Sequence, residues 1–241
     1  MPYFLKKYCN PRYLNHSQLN SRSVIAIDGY ASTGKSTLAK MLSRHYQIPF
    51  IDSGALYRGI TLYALEKGFF EDNNLDQEAL REALNILNMR FDSNSGDLYL
   101  NGENISQKIR LPEVSEHVSN IAALIIVREF LLHQLRKMAS ESGLVMDGRD
   151  IGTVVFPNAN YKFFFTARPE VRAHRRHNEL RAQGQKITFE EVLNNLILRD
   201  QNDSTRDTAP LKKADDAFEI DTSEVTTVEV FADLLEKIDP K

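Results

Sequence analysis

Gly29, Gly34, Lys35 and Ser36 stand at spacings that suit the binding of a phosphate chain. Two glycines enclose four residues, and a lysine and a hydroxyl follow, in Gly29-Tyr30-Ala31-Ser32-Thr33-Gly34-Lys35-Ser36. Glycine at both ends permits close approach and backbone angles that a side chain would forbid, so successive N–H groups can turn inward around an anion. Lys35 brings a point charge to the β- and γ-phosphates, and the Ser36 hydroxyl is set to ligate Mg2+. Val24-Ile25-Ala26-Ile27 precedes the loop as a strand. Thr37-Leu38-Ala39-Lys40-Met41-Leu42 follows as a helix whose N-terminus faces the same anion. That strand–loop–helix context separates a nucleotide loop from an accidental glycine turn, and the chain is read as binding a nucleoside triphosphate. The loop alone does not say what becomes of the phosphate.

Three further constellations carry charge suited to phosphate chemistry. In Asp52-Ser53-Gly54-Ala55-Leu56-Tyr57-Arg58, the arginine lies just inside a helix that starts at a strand end, where open α/β sheets bind ligands. It can grip a second phosphate through two parallel hydrogen bonds, or it is a solvated helix arginine. In Asp147-Gly148-Arg149-Asp150-Ile151-Gly152-Thr153-Val154-Val155-Phe156, two aspartates and an arginine end an apolar strand, and they need to be paired or used. A structural salt-bridge network is the alternative there. Arg168, Arg172, Arg175, Arg176 and Arg181 crowd one helix, with Arg199, Asp203 and Arg206 beyond it. Such a helix repels itself until an anion arrives, which suits a lid closing on polyphosphate. His174 and His177 in that helix lack metal-ligand spacing and are read as bystanders.

The elements that must position these groups alternate between strand and helix, which argues for a parallel sheet covered by helices. Strands are expected at Ser23–Asp28, Pro49–Ile51, Leu144–Asp147, Tyr161–Phe165 and Phe218–Asp221. Helices are expected at Lys35–His45, Leu56–Lys67, Asp76–Leu87, from Pro112 with a break to Ser140, and at Glu170–Arg181 and Phe189–Arg199. Thr188/Glu191 and Thr226/Glu229 form capping boxes that open the last two helices. Between Met89 and Ile105, short apolar runs separated by Ser93-Asn94-Ser95-Gly96 and Asn101-Gly102 predict a small antiparallel three-stranded meander. The fold class is therefore α/β: a P-loop-type parallel five-stranded sheet with two excursions, near residues 53–125 and 168–206.

Composition narrows the function. A net charge of −3 argues against a general nucleic-acid binder, whose footprint would be basic. The single Cys9 excludes an internal disulfide or a cysteine-rich metal site and fits a reducing cytoplasm. No apolar run approaches the ~18 residues of a membrane span, so no membrane partner is expected. Residues 1–22 carry four basic residues and no acidic one, without the apolar core of a secretory signal. They read as a loosely ordered extension before a domain of residues 23–241.

Taken together these residues resemble the bacterial cytidylate kinases, over roughly Ser23 to Ile238. The resemblance rests on Ile27-Asp28-Gly29 with Gly34-Lys35-Ser36-Thr37, on Asp52 to Arg58, and on Asp147-Gly148-Arg149-Asp150-Ile151-Gly152-Thr153-Val154-Val155-Phe156-Pro157. It rests further on Arg199-Asp200, Asp203, Arg206, Ala209-Pro210-Leu211, Ala214-Asp215-Asp216-Ala217 and Ile220-Asp221-Thr222-Ser223. It implies a core, a monophosphate-binding region, a helical lid, and transfer of a phosphoryl group from ATP to CMP or dCMP with Mg2+, in pyrimidine nucleotide metabolism. Carried over, Ser53, Tyr57, Arg58, Ser119, Arg128, Arg149, Asp150, Arg199, Asp203 and Arg206 form the CMP site. Asp150 would accept from the cytosine amino group while Arg128 and Ser119 donate. Arg58, Arg149 and Arg206 would hold the acceptor phosphate, and Arg199 and Asp203 the ribose. Lys35, Arg149, Arg172 and Arg176 would neutralise the transferring group. The family often has glycine where this chain has Ser36, and the apolar run Ala123–Val127 makes helix rotation decisive for where Arg128 points. Another small-molecule kinase acting on UMP, dTMP or a non-nucleotide acceptor is the runner-up. A GTPase switch would carry an Asn-Lys-x-Asp string, which the chain lacks. A monomer is expected.

Overall fold

A computed structural model describes residue 19 and residues 22–71, 74–92 and 96–240. The expected extension of residues 1–22 lies almost wholly outside the described residues. Five strands form one parallel sheet: β1 (Val24–Gly29), β2 (Phe50–Asp52), β8 (Leu144–Gly148), β9 (Tyr161–Thr166) and β10 (Phe218–Asp221), in the order β10-β9-β1-β8-β2. The central strand β1 pairs Ile27 with Asp147 on one side and Phe163 on the other, so its C-terminal end opens between the charged ends of its neighbours. Near-continuous burial of β1, β8 and β9 follows from helices on both faces.

One face carries α1 (Lys35–Tyr46) and α8 (Thr227–Ile238), which enclose Ile25, Ile27, Leu38, Leu42, Phe163, Phe165 and Leu234. The other carries α2 (Ser53–Glu66), α3 (Gln77–Leu84), α4 (Pro112–Ala123) and α5 (Ile125–Glu141) over Ala26, Leu56, Ile60, Leu131 and Met146. Onto this second core fold the antiparallel strands β5 (Met89–Phe91), β6 (Leu98–Leu100) and β7 (Glu103–Asn104), the meander expected from the turn residues. A third, small core of Ala31, Ala173, Leu180, Val192 and Leu196 joins α6 (Pro169–Ala182) to α7 (Phe189–Thr205).

Local chemistry sets most boundaries. Both capping boxes form, Thr188 with Glu191 and Thr226 with Glu229. α2 begins at Ser53, earlier than Leu56, because the Asp52 side chain accepts from the Ala55 amide at 3.0 Å and caps the first turn. α3 ends at Leu84 rather than Leu87, where the chain tightens through Asn85–Leu87 into β5. α7 runs on to Thr205 instead of stopping at Arg199, which stacks Arg199 and Asp203 one turn apart. Two features had no signal in the apolar pattern. One is the short hairpin β3 (Phe70–Glu71) with β4 (Asn74–Leu75), and the other is a single π-turn over Ile151–Val155. Among the described residues, no single helix is long and apolar enough to cross a membrane.

Candidate active site

The phosphate loop is built around positions that need glycine. Gly29 has φ 138°, and a Cβ there would stand 2.1 Å from the Phe165 carbonyl oxygen. Gly34 enters α1 at φ 90° and offers that helix no side-chain cap. The first amides of α1 are thus free to meet an anion. Ser32 also adopts the left-handed region, at φ 61°. Lys35 is buried, its Nζ donating to the Tyr30 carbonyl at 2.5 Å. Burial, with Arg149 nearby, holds this ammonium well below the ordinary lysine range. Tyr30, Ala31, Thr33, Ser36 and Thr37 complete the loop and first turn.

Ser36 does not stand alone. Its hydroxyl donates to Asp147 Oδ2 at 2.5 Å, at the end of β8. Strand pairing sets Asp52 opposite Asp147, and burial followed by the charge of Asp52 pushes the Asp147 carboxyl far above the usual carboxylate range. Among the described residues, Asp147 Oδ1 is buried without a hydrogen-bond partner. A hydroxyl beside an unsatisfied carboxylate oxygen is a hard-oxygen pair that fits Mg2+, which keeps several waters and arrives with substrate phosphates. Sequence reasoning put the metal on Ser36 and left Asp147 unassigned; the strand-end Asp-Gly was the available signal.

The second cluster interlocks arginines with carboxylates. Arg128, on α5, donates to Asp150 at 2.5 Å and to the Ala122 carbonyl at 2.8 Å, and its guanidinium lies 5.6 Å over the Tyr57 ring. The apolar run before it therefore turns Arg128 into the site. Arg149 donates to Asp203 at 2.9 Å, with Arg199 at 3.9 Å and Arg206 at 3.7 Å from the same carboxylate. Burial opposes the Asp203 charge, but Arg149, Arg199 and Arg206 hold the carboxyl below its usual range. Arg206 also lies 3.6 Å from Asp150. Among the described residues, Arg199 Nε and Arg206 Nη2 are buried without hydrogen-bond partners. Burial and the adjacent Arg149 bring Arg199 down to about 10. Arg58 reaches Ser115 at 3.0 Å and the Ile109 carbonyl at 3.4 Å, and burial with Arg199 and Arg110 close by lowers it to about 9. This crowding of cations, several under-satisfied, suits a dianion. Ser53 donates its hydroxyl to the Asp147 carbonyl at 2.7 Å, while Ser119 is half-buried on α4.

The arginine-rich helix is less self-repelling than its charge count implies. Arg168 bonds Glu224, Arg175 donates to the Thr222 carbonyl at 2.6 Å, and Arg176 pairs with Glu179 at 2.8 Å. Arg172 is buried, held by Asp200 at 2.6 Å and the Ala167 carbonyl at 2.9 Å, and lies 5.1 Å over the Tyr30 ring. The expectation of a helix waiting for an anion is corrected accordingly: neighbouring acceptors already neutralise most of it. Arg172 ties the lid to the phosphate loop, and Arg176 is the more available cation. His174 packs on Phe189, and His177 bonds the Ile187 carbonyl.

A cleft of about 400 Å³ adjoins the loop between Gly34, Thr37, Arg175, Thr222 and Val225, with room for a nucleobase. Of these, the loop residues, Arg175 and Thr222 already stood out in the sequence; Val225, just beyond β10, carried no signal there. A second cleft of similar size, around Val24, Val155 and Phe156, lies at the start of β1, the opposite end of the strand.

The family model described as Cytidylate kinase matches residues 25–240. A protein named cytidylate kinase from Phocaeicola vulgatus is 49% identical over 217 residues, covering 88% of this chain and 95% of its own length. One of the same name from Bacteroides thetaiotaomicron is 50% identical, covering 84% and 90%, and one from Flavobacterium johnsoniae is 46% identical, covering 89% and 95%.

Proposed function

The chain belongs to the cytidylate kinase family, and from that premise we propose how its own residues carry the γ-phosphoryl group of ATP to CMP or dCMP. The observation that carries the reading is the facing of two anion sites across the strand ends. The uncapped N-terminus of α1 with Lys35 stands on one side, and the Arg58, Arg149, Arg199 and Arg206 group on the other.

The loop Gly29–Thr37 holds the donor phosphates, with the adenine in the cleft beside Arg175 and Thr222. Lys35 leaves the Tyr30 carbonyl to meet the β- and γ-oxygens. Arg58, Arg149 and Arg206 hold the acceptor phosphate, and Arg199 with Asp203 the ribose. Asp150 accepts from the cytosine amino group, while Arg128 and Ser119 donate to the acceptors of the ring. Tyr57 supports Arg128 from below. Uracil would present a carbonyl to the Asp150 carboxylate, which disfavours it. The CMP phosphate is itself an oxygen nucleophile near neutral pH, so no general base is invoked. In-line alignment and charge neutralisation supply the rate, with Arg176 joining as the lid closes and Arg172 keeping the lid attached. Ser36 and Asp147 would hold Mg2+, which when bound offsets charge on the β- and γ-phosphates.

The monophosphate region is assigned to residues 53–125 and the lid to residues 168–206. A monomer working in the cytoplasm, where its nucleotide substrates are found, completes the reading. A coupled ADP-release assay with ATP·Mg2+ tests the reading against CMP, dCMP, UMP, AMP, GMP and dTMP. Turnover confined to CMP and dCMP is expected. Equal turnover with UMP would discard the base-reading roles, and no turnover with any of them would discard the kinase.

A further inference from the structure

Asp28 is the penultimate residue of β1 and is 5% exposed. Its two carboxylate oxygens accept from separate backbone amides, Oδ1 from Ile151 and Oδ2 from Gly152, each at 2.7 Å. Those amides open the π-turn Ile151–Val155, directly after Arg149 and Asp150. No lysine, arginine or histidine forms an ion pair with Asp28 among the described residues. Burial pushes its carboxyl up to about 6 against the pull of the two amides. An interior carboxylate whose hydrogen bonds go to two backbone amides, with the Coulomb pull of Lys35 beyond hydrogen-bond reach, is costly, and core packing does not call for one.

The rest of the joint is tight. A Cβ on Gly152 would stand 3.2 Å from Lys162 Cδ and 3.4 Å from Asp28 Oδ2, so the turn is wedged between these two side chains. On the other side of Asp28 lies Gly29, pressed so closely on Phe165 that no side chain fits. The Asp28 backbone thus moves with the phosphate loop, while its carboxylate grips the turn that presents Arg149 and Asp150. Building on the kinase reading above, we propose that Asp28 is a positioning residue that sets the spacing between the donor-phosphate loop and the acceptor-site pair Arg149–Asp150. The side chain suits that task narrowly. Asparagine would offer one acceptor and turn an NH2 toward an N–H donor, and glutamate would move both acceptors by a methylene.

Asp28→Asn and Asp28→Glu test this, with active sites counted by equilibrium ATP binding and assays run well below each variant's unfolding temperature. The kcat per site is expected to fall about 100-fold with a raised KM for CMP, while ATP affinity stays within about twofold of wild type. Variants as fast as wild type would overturn the proposal. So would ATP and CMP affinities that fall together in proportion, the mark of a merely structural role. Amide exchange in the wild-type enzyme needs no variant. The Ile151 and Gly152 amides are expected to be protected to the level of β1 before any nucleotide is added, and rapid exchange there overturns the clamp. Wild-type protein without CMP turnover would overturn the kinase reading and this proposal with it; active wild type with unimpaired variants overturns this proposal alone.

Discussion

Arg128→Met separates two consequences of one buried ion pair. Arg128 and Asp150 have side chains only 8% and 6% exposed, so removing the guanidinium strands a carboxylate with Arg206, 3.6 Å away, as its remaining ion-pair partner. Breaking a buried pair from one side costs about 3–5 kcal/mol. The Ala122 carbonyl also loses the hydrogen bond made at 2.8 Å, worth about 1 kcal/mol. The carboxylate's retained contact with Arg206 and relaxation toward the methionine offset part of this, so the variant is expected to lose about 3 kcal/mol in urea unfolding. Asp150→Asn leaves Arg128 the Ala122 carbonyl and the Tyr57 ring and should cost less. The double variant should lose less than the sum, with a coupling of about 1.5–3 kcal/mol between the two sites. In steady-state assays, Arg128→Met is expected to raise the KM for CMP at least tenfold. Asp150→Asn is expected to shrink the preference for CMP over UMP by about 100-fold, because a site built around a hydrogen bond discriminates through it. Additive stabilities together with an unchanged CMP:UMP ratio would refute both the energetic and the base-reading argument.

Two further outcomes concern the donor side. In the ligand-free enzyme, burial and Arg149 lower the Lys35 ammonium, and ATP phosphates raise it again, so binding at pH 8.5 is expected to take up protons. Titration calorimetry in two buffers of different ionisation heat reads this directly. Lys35→Ala should abolish the uptake and lower turnover by at least about 100-fold while the fold survives, and buffer-independent heats in wild type would count against it. For Asp147 the folded carboxyl is raised above its usual 3.8 by burial and Asp52, so the folded state binds the extra proton. Its contribution to stability therefore falls as pH rises through that window, and the full cost stands at pH 8. Asp147→Asn is expected to melt higher than wild type at pH 8, with the gain shrinking toward pH 4, and to lose Mg2+-dependent turnover. A variant that melts lower at pH 8 would contradict the sign.

Much of the fold was legible because it is written in local rules. The strand–glycine–helix run at Gly29–Thr37, the capping boxes at Thr188 and Thr226, and the turn residues bounding the meander each act over a few neighbours. Five apolar runs alternating with amphipathic ones left little choice but a parallel sheet with helices on both faces. The residue types of the candidate site were legible too, since arginines and aspartates at strand ends are rarely idle. Their partners were not. Asp147 meets Ser36 from 111 residues away, and Arg149 meets Asp203 from 54 away, through strand order and the unbroken length of α7. The same holds for Arg172, whose charge suggested a free lid cation until packing against Asp200 and Tyr30 buried it. Asp28 read in sequence as the last residue of an apolar strand, and only the neighbouring π-turn gave its carboxylate two amides to hold. Sequence alone determined the sheet strands, the main helices and which charges gather at the strand ends, because propensity, capping and periodicity are short-range. Tertiary structure alone decided which charge neutralises which and how far each carboxyl or ammonium shifts, because burial and Coulomb energy depend on distances that the chain's order does not contain.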